Sequence, residues 1–564
     1  MHRAGRGAKA TREPYVKTFR IAAVLLGGAA LGTAFAQHTA PDSWTPLISG
    51  KQGWPQDIEG RAIHMIHIPP TNLQMGSRGK VLFFGVSNTF HGPVTPTVWT
   101  PPMAWESDFG TFTDTANALS FEAFCCGHTL TEDGKVAITG SNFGSTSLGN
   151  NFPGPQVATF DPATNLWTEM PAVHQLQRSR YYPSTYRLHD GRIATFGGQS
   201  VVQNKLGLPE FVDEPFEINP DKLSLLAPWD MPVLADWDFL NYPHLFQITA
   251  NEMFFSGPSR HPEASLEGYD TFFFDLTNPN GSQIPYGGFS QLWEGGMVMF
   301  RHGKILKAGG VETLAKGYSH EQMLATENTE RLDIDFSQNN VWQYAAPMHR
   351  KRLDHNMVLL PDGRVFAVGG ALYHRYTLRR DEAYWVQDGE IWDPDTNTWT
   401  LTAAFGGGMM PNVFRGYHSA AILMPDARVL LAGGDTHGLI TSQPPSGHFY
   451  LPDYGAGTRP EIISGPDTIA IGSSDNQVVT DTEIGWYRVV LVGLGSVTHS
   501  LDSNQRWVEL SLLVDGPTDD PVFHGPTSST EAPPGHYMLF VLKQEDGKWL
   551  PCKMAKYVKV IGGK

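Results

Sequence analysis

Along this chain, short hydrophobic runs repeatedly end on a glycine: at Gly85, Gly140, Gly198, Gly257, Gly310, Gly370 and Gly434. Five of these runs read almost alike: DGKVAITGS, DGRIATFGG, HGKILKAGG, DGRVFAVGG and DARVLLAGG. Each opens on a polar turn and continues for a few residues rich in Val, Ile, Leu and Phe, which is too short for a helix and suits a buried strand. The unit recurs about every 55–65 residues, near the kelch range. One such unit cannot bury its own hydrophobic faces, whereas several arranged around an axis can, as a β-propeller. Seven runs predict seven blades.

A second pattern marks the outer strands. Phe160-Asp161-Pro162 leads to Trp167, Trp392-Asp393-Pro394 leads to Trp399, and Asn339-Asn340-Val341-Trp342 fits the same slot. Trp44, in SWTPLI before the first run, is placed to supply the outer strand of the last blade and close the ring, which removes exposed edges. These signals predict a propeller over 37–454. Beyond it the repeat stops, and alternating strands such as GWYRVVLVGL, RWVELSLLV and HYMLFVLKQ predict an immunoglobulin-like β-sandwich over 459–564.

Composition agrees with an all-β chain: 564 residues with 59 Gly, 41 Pro and only 17% charged residues. The net charge of −16 argues against a nucleic-acid surface. Residues 1–36 read as a signal peptide: Arg3, Arg6, Lys9, Arg12, Lys17 and Arg20 precede an apolar run from Ile21 that ends Ala34-Phe35-Ala36. Cleavage before Gln37 leaves no membrane span and predicts an exported protein, periplasmic or extracellular, acting as a monomer. An uncleaved anchor is the alternative, disfavoured by the short, glycine-containing run. The three cysteines, Cys125, Cys126 and Cys552, are too few for a disulfide framework and leave one thiol over.

In a propeller the innermost strand of each blade lines the channel, and here it is the strand before the DG-type turn. Counting back from those turns, Cys125 and Tyr182 lie eight residues before Asp133 and Asp190, His355 seven before Asp362, and Tyr417 and His418 nine and eight before Asp426. Tyr242 and His244 hold a similar place before Asn251. A thiol, phenols and imidazoles at one mouth of the channel form a metal-ligand inventory. Taken singly, each of these residues also suits ordinary packing around the channel. His64, His67 and His128 read as structural, and Arg352 and His355 as candidates for the substrate mouth.

These residues carry a resemblance to the copper-radical oxidases, galactose oxidase and glyoxal oxidase. Phe124-Cys125-Cys126-Gly127 resembles the family's F-C-x-G, Arg180-Tyr181-Tyr182-Pro183 its R-x-Y segment, and Arg415-Gly416-Tyr417-His418-Ser419 its Y-H-S motif. Val497-Thr498-His499-Ser500 resembles the loop by which the C-terminal domain sends a histidine into the propeller, and Pro533–Phe540 resembles the family's late P-G-x-x-M-L-F strand. The likeness runs from about Gly60 to Gly562 and lacks the galactose oxidase type's extra N-terminal carbohydrate-binding domain.

The resemblance implies one copper ion held by Tyr182, Tyr417, His418 and His499. It also implies a thioether between Cys125 and Tyr182 that lets Tyr182 hold a radical, with Tyr417 as general base. The substrates would be a small alcohol or aldehyde and dioxygen, the products an aldehyde or acid and hydrogen peroxide. The family pattern departs at Ser200, where galactose oxidase stacks a Trp over the thioether; Tyr181 is a candidate replacement cover. Cys126 is an unusual neighbour for the crosslinking position. Two other readings stay open: a non-catalytic kelch propeller that binds a carbohydrate or protein, and a copper-binding protein without radical chemistry.

Overall fold

The computed structural model describes residues 42–562, except 45–47, 50–61, 86–94, 103–109, 147–148, 204–208, 214–215, 220–240, 261–268, 278–288, 291, 294, 313–323, 336–339, 374–383, 405–413, 435–445, 483 and 515. The predicted leader and its cleavage point lie outside the described residues.

Seven blade sheets surround the axis. Their inner strands are His64–Ile68, Gly127–Leu130, Ser184–Arg187, Asn241–Gln247, Gly296–Arg301, Asn356–Leu359 and Ser419–Leu423. All are buried along essentially their whole length because both faces are covered by neighbouring blades, including the polar residues of HMIHI, GHTL, STYR and NYPHLFQ. The ring closes as the sequence predicts. Ser43 and Trp44 pair with Leu451 and Tyr450, and Ile48 pairs with Gly447, so the first described residues complete the last blade.

Two local rules explain the repeated letters. Three turns are stapled by an Asp two residues before an Arg: Asp190, Asp362 and Asp426 each accept from the backbone N–H and the Nε of Arg192, Arg364 and Arg428. The second strand then ends on a Gly-Gly pair, both in the left-handed region, at φ 75° and 96° for Gly369 and Gly370. The carbonyl of the first glycine accepts from a buried arginine of the same blade: Arg180 to Gly197, Arg352 to Gly369 and Arg415 to Gly433. The guanidinium then meets a third-strand glutamate, Arg180 with Glu217 at 3.1 Å and Arg352 with Glu390 at 2.7 Å, all four side chains wholly buried.

The fifth blade solves the same problem differently. Its third-strand Glu330 accepts from Ser290 Oγ at 2.7 Å, and Lys307 Nζ donates to that hydroxyl at 2.7 Å. Burial pulls the Lys307 ammonium down to about 8, and Glu330 opposes that shift.

After the propeller, Tyr487–Gly493 sits between Gly535–Glu545 and Trp507–Leu510, and Lys556–Ile561 extends the same sheet. The seven-bladed propeller is thus followed by a β-sandwich. One hairpin, Ser496–Thr498 with Leu501–Asp502, leaves this second unit and pairs with the inner strand of the first blade: His64 with Thr498, Met65 with Val497 and Ile66 with Ser496. Among the described residues no helix is long and apolar enough to cross a membrane.

Candidate active site

The hairpin delivers His499 to the channel. His499 and Ser500 are its two turn residues, at φ 48° and 66°, the double left-handed geometry of a type I′ turn. Asn-Gly usually occupies such a turn; His-Ser bears strain of the kind that concentrates at functional sites. Thr498 Oγ1 lies 2.6 Å from His499 Nδ1 and fixes the ring. His499 Nε2 lies 3.9 Å from Cys125 Sγ.

The propeller side is built by one repeated trick. Cys125, Tyr182 and His418, at the start of three inner strands, adopt φ 59°, 63° and 65°. Side chains with a Cβ rarely hold this conformation. Hydrogen bonds between blades hold it here: Tyr182 N–H donates to Cys125 O at 3.0 Å, and Tyr242 N–H to Tyr182 O at 2.7 Å. The same register position in the sixth blade is Asp354, at φ 55°, one residue before His355.

The predicted site residues come together. Tyr182 Oη and Tyr417 Oη are 3.0 Å apart. The His499 ring centroid lies 5.2 Å from that of Tyr182, 5.4 Å from Tyr417 and 4.7 Å from His418. Cys125 and Tyr182 share one buried apolar cluster. None of the five side chains is more than 5% exposed. Among the described residues no group of three or more His, Cys, Asp or Glu is arranged to hold a metal. A metal here therefore requires the phenols as donors. Two imidazoles and two phenols converging in one buried spot suit a divalent first-row metal, and nitrogen and oxygen donors of this kind suit Cu(II).

Other residues fall differently from expectation. Arg352 and His355 are both wholly buried, and Arg352 is committed to Glu390 and Gly369, so neither lines a mouth. Buried His244 faces the Lys307 charge. Ser200 is buried, and the ring against Tyr182 is that of Tyr181, with centroids 4.0 Å apart. Cys126 points into a different hydrophobic cluster from Cys125, and burial pushes its thiol well above the usual range. Burial likewise pushes Cys552 up to about 11, and no disulfide joins the three cysteines.

The sequence reads two further contributors, His64 and His128, as structural, and it places a third, Tyr242, at the channel mouth without a role. Tyr242 stacks on His499 with centroids 4.6 Å apart and lies edge-on to Tyr182 at 5.1 Å. His64 and His128 form a buried relay behind the site. Cys125 N–H donates to His64 Nε2 at 3.3 Å, which places the His64 proton on Nδ1. That proton points to His128 Nε2 at 3.0 Å, and His128 Nδ1–H then donates to Ser496 Oγ at 2.7 Å. Both imidazoles are neutral: burial lowers His128 to about 3 and takes His64 well below its usual value, helped by His128, His499 and His418. The relay ties the backbone of Cys125 to the hairpin that carries His499. Nothing in the strand HMIHI or in GHTL separates such a pair from packing histidines.

Comparison with known proteins gives a consistent answer. The family model described as the glyoxal oxidase N-terminus matches residues 294–445, and that of the galactose oxidase-like early set domain matches 459–557. Galactose oxidase of Gibberella zeae is 25% identical over 503 residues, covering 86% of this chain and 68% of that protein. Aldehyde oxidase GLOX of Vitis pseudoreticulata is 24% identical over 413 residues, covering 67% of this chain and 72% of that protein. A solved fungal alcohol oxidase of the AA5 family, in complex with copper, superposes with a TM-score of 0.68 at 20% identity. That superposition covers 92% of this chain and 99% of the other, and it establishes the shared fold. The fold is shared with the copper-bound fungal alcohol oxidase, and the sequence matches point to galactose oxidase and glyoxal oxidase. The chain is similar to the galactose oxidase and glyoxal oxidase family, whose two models match it over 294–445 and 459–557.

Proposed function

We propose that this chain is an exported copper-radical oxidase that converts a primary alcohol or aldehyde with dioxygen into the aldehyde or acid and hydrogen peroxide. The observation that carries this reading is the pair of phenol oxygens 3.0 Å apart, ringed by His418 and His499, with Cys125 in the same buried cluster as Tyr182. Tyr182, Tyr417, His418 and His499 would hold the copper, and Cys125 Sγ would be bonded to the Tyr182 ring. When bound, copper supplies a Lewis acid and a one-electron acceptor.

The chain's own groups divide the remaining work. Tyr417 Oη would take the hydroxyl proton of the alcohol, or of the hydrate that the aldehyde forms with water, as general base. Tyr182 Oη would accept the hydrogen atom from the substrate carbon, so that two electrons and two protons leave the substrate and pass to dioxygen. Tyr181 covers the radical ring where Ser200 offers no aromatic face. The part-buried rings of Phe124, Tyr384 and Trp385 border the cluster beside His418 and Tyr417, which favours a substrate with an apolar body. A leader over 1–36, a propeller over 37–454, a sandwich over 459–564 and a monomeric state belong to the same proposal. The test is peroxide release by copper-loaded protein across small aldehydes, primary alcohols and galactose. Turnover on one or more of them is expected. Silence across the panel, with copper bound, speaks for a binding propeller instead.

A further inference from the structure

The fourth blade sends one side chain into the tyrosine and histidine cluster to which the proposed chemistry gives no task. Tyr242, the second residue of the inner strand Asn241–Gln247, holds φ 47°. This is the left-handed geometry of Cys125, Tyr182 and His418, which a bulky side chain rarely adopts. Glycine or asparagine takes it at less cost. Strain of this kind, where it is observed, is a pointer to function. Here it brings a large aromatic ring to the mouth that the other three share.

Tyr242 is tied to the cluster at three points, and its side chain is wholly buried. Its backbone N–H donates to Tyr182 O at 2.7 Å. Its hydroxyl donates to Cys126 O at 3.1 Å, which fastens the far end of the ring to the residue after Cys125. Its face lies on His499, with centroids 4.6 Å and planes 27° apart. The rings of Tyr182, Tyr417 and His418 meet His499 edge-on, at interplanar angles of 77°, 76° and 87°, so Tyr242 alone among these four covers a face of the imidazole. The Thr498 hydroxyl, 2.6 Å from Nδ1, holds one edge of that ring. A hydrogen bond at one nitrogen still lets an imidazole tilt, whereas a flat ring packed on its face sets its plane.

We propose that Tyr242 is a positioning residue for the metal centre: its ring fixes the plane of the His499 imidazole, and its hydroxyl pins that ring to the Cys125–Cys126 backbone. This role rests on the oxidase reading, in which His499 is a copper ligand. Groups that orient a metal-binding imidazole act most often through its second nitrogen, and their loss lowers metal affinity about 10–100-fold. Thr498 serves that nitrogen here, and Tyr242 adds the constraint on the ring plane. His499 arrives on a hairpin from the second unit, so this contact is also where the propeller registers the visiting ligand.

The test compares the wild-type full chain with Tyr242→Leu and Tyr242→Phe. Cu(II) affinity is measured by chelator competition under argon, so that the tyrosine stays unoxidised and the Cu(II) spin signal stays visible. The thermal midpoint of each metal-free chain is recorded beside it. Tyr242→Leu removes the flat face and is expected to weaken Cu(II) binding about 10–100-fold and to change the copper hyperfine splitting. Tyr242→Phe keeps the face and is expected to recover most of the affinity and the wild-type spectrum. A Tyr242→Leu chain that melts lower yet binds Cu(II) with wild-type affinity and spectrum overturns the proposal and leaves Tyr242 a packing role. A wild-type chain that binds no Cu(II) overturns the oxidase reading and this role with it. Should Tyr242→Leu fail to fold, a crystal of the copper-loaded wild-type chain decides. His499 is expected to reach the metal through Nε2 with Tyr242 still stacked on it; a His499 ring that has left Tyr242 to do so overturns the proposal.

Discussion

Tyr182→Phe in the copper-loaded chain is expected to lower peroxide output by at least about 1,000-fold, equivalent to about 4 kcal/mol of barrier. The substitution removes one oxygen and little else. Phe keeps the ring against Tyr181 and Tyr242, and the backbone N–H still donates to Cys125 O. What disappears is the phenol that lies 3.0 Å from Tyr417 Oη, and with it the proposed metal donor and oxidisable group. The thermal midpoint should therefore move little while turnover collapses, and that divergence separates a chemical role from a packing one. Output near the wild-type level would remove Tyr182 from the chemistry.

The second large effect concerns the fold. Arg352→Met is expected to destabilise the chain by about 3–5 kcal/mol, because breaking one side of a buried pair leaves the other charge uncompensated. Glu390 would keep only the backbone N–H groups of His349 and Arg350 and the His349 ring, and the Gly369 carbonyl would lose its donor. Restoring neutrality should recover much of the loss, so Arg352→Met combined with Glu390→Gln is expected to unfold at a higher temperature than Arg352→Met alone. A double variant no more stable than the single one would mean that Arg352 acts through shape and not charge. Thermal unfolding followed by circular dichroism reads both.

The architecture was readable because its grammar is periodic. Glycine-ended runs mark second strands whose Gly-Gly corners demand positive φ, and stapled Asp-x-Arg turns fix the register that leads back to the inner strands. Counting from those turns brought Cys125, Tyr182 and His418 to one mouth. The motif around Thr498 pointed to the visiting histidine, and pairing with His64–Ile68 explains how it arrives.

The same counting failed where one residue matters. In the sixth blade the left-handed position belongs to Asp354, so His355 turns into the packed interior instead of the channel. Adjacent residues near a strand start face opposite ways, which also separates Cys125 from Cys126. Tyr242 on His499, the His64–His128 relay and Lys307 standing in for an arginine depend on contacts between blades, and no local pattern carries those.

The account rests on Cys125 and Tyr182 becoming one cofactor. The most direct measurement is mass spectrometry of proteolytic fragments after copper loading in air. The expected result is a single species in which the Cys125 and Tyr182 peptides are joined and lighter than their sum by two hydrogens. Recovery of both peptides separate and unmodified, with Cys125 freely alkylated, would contradict it.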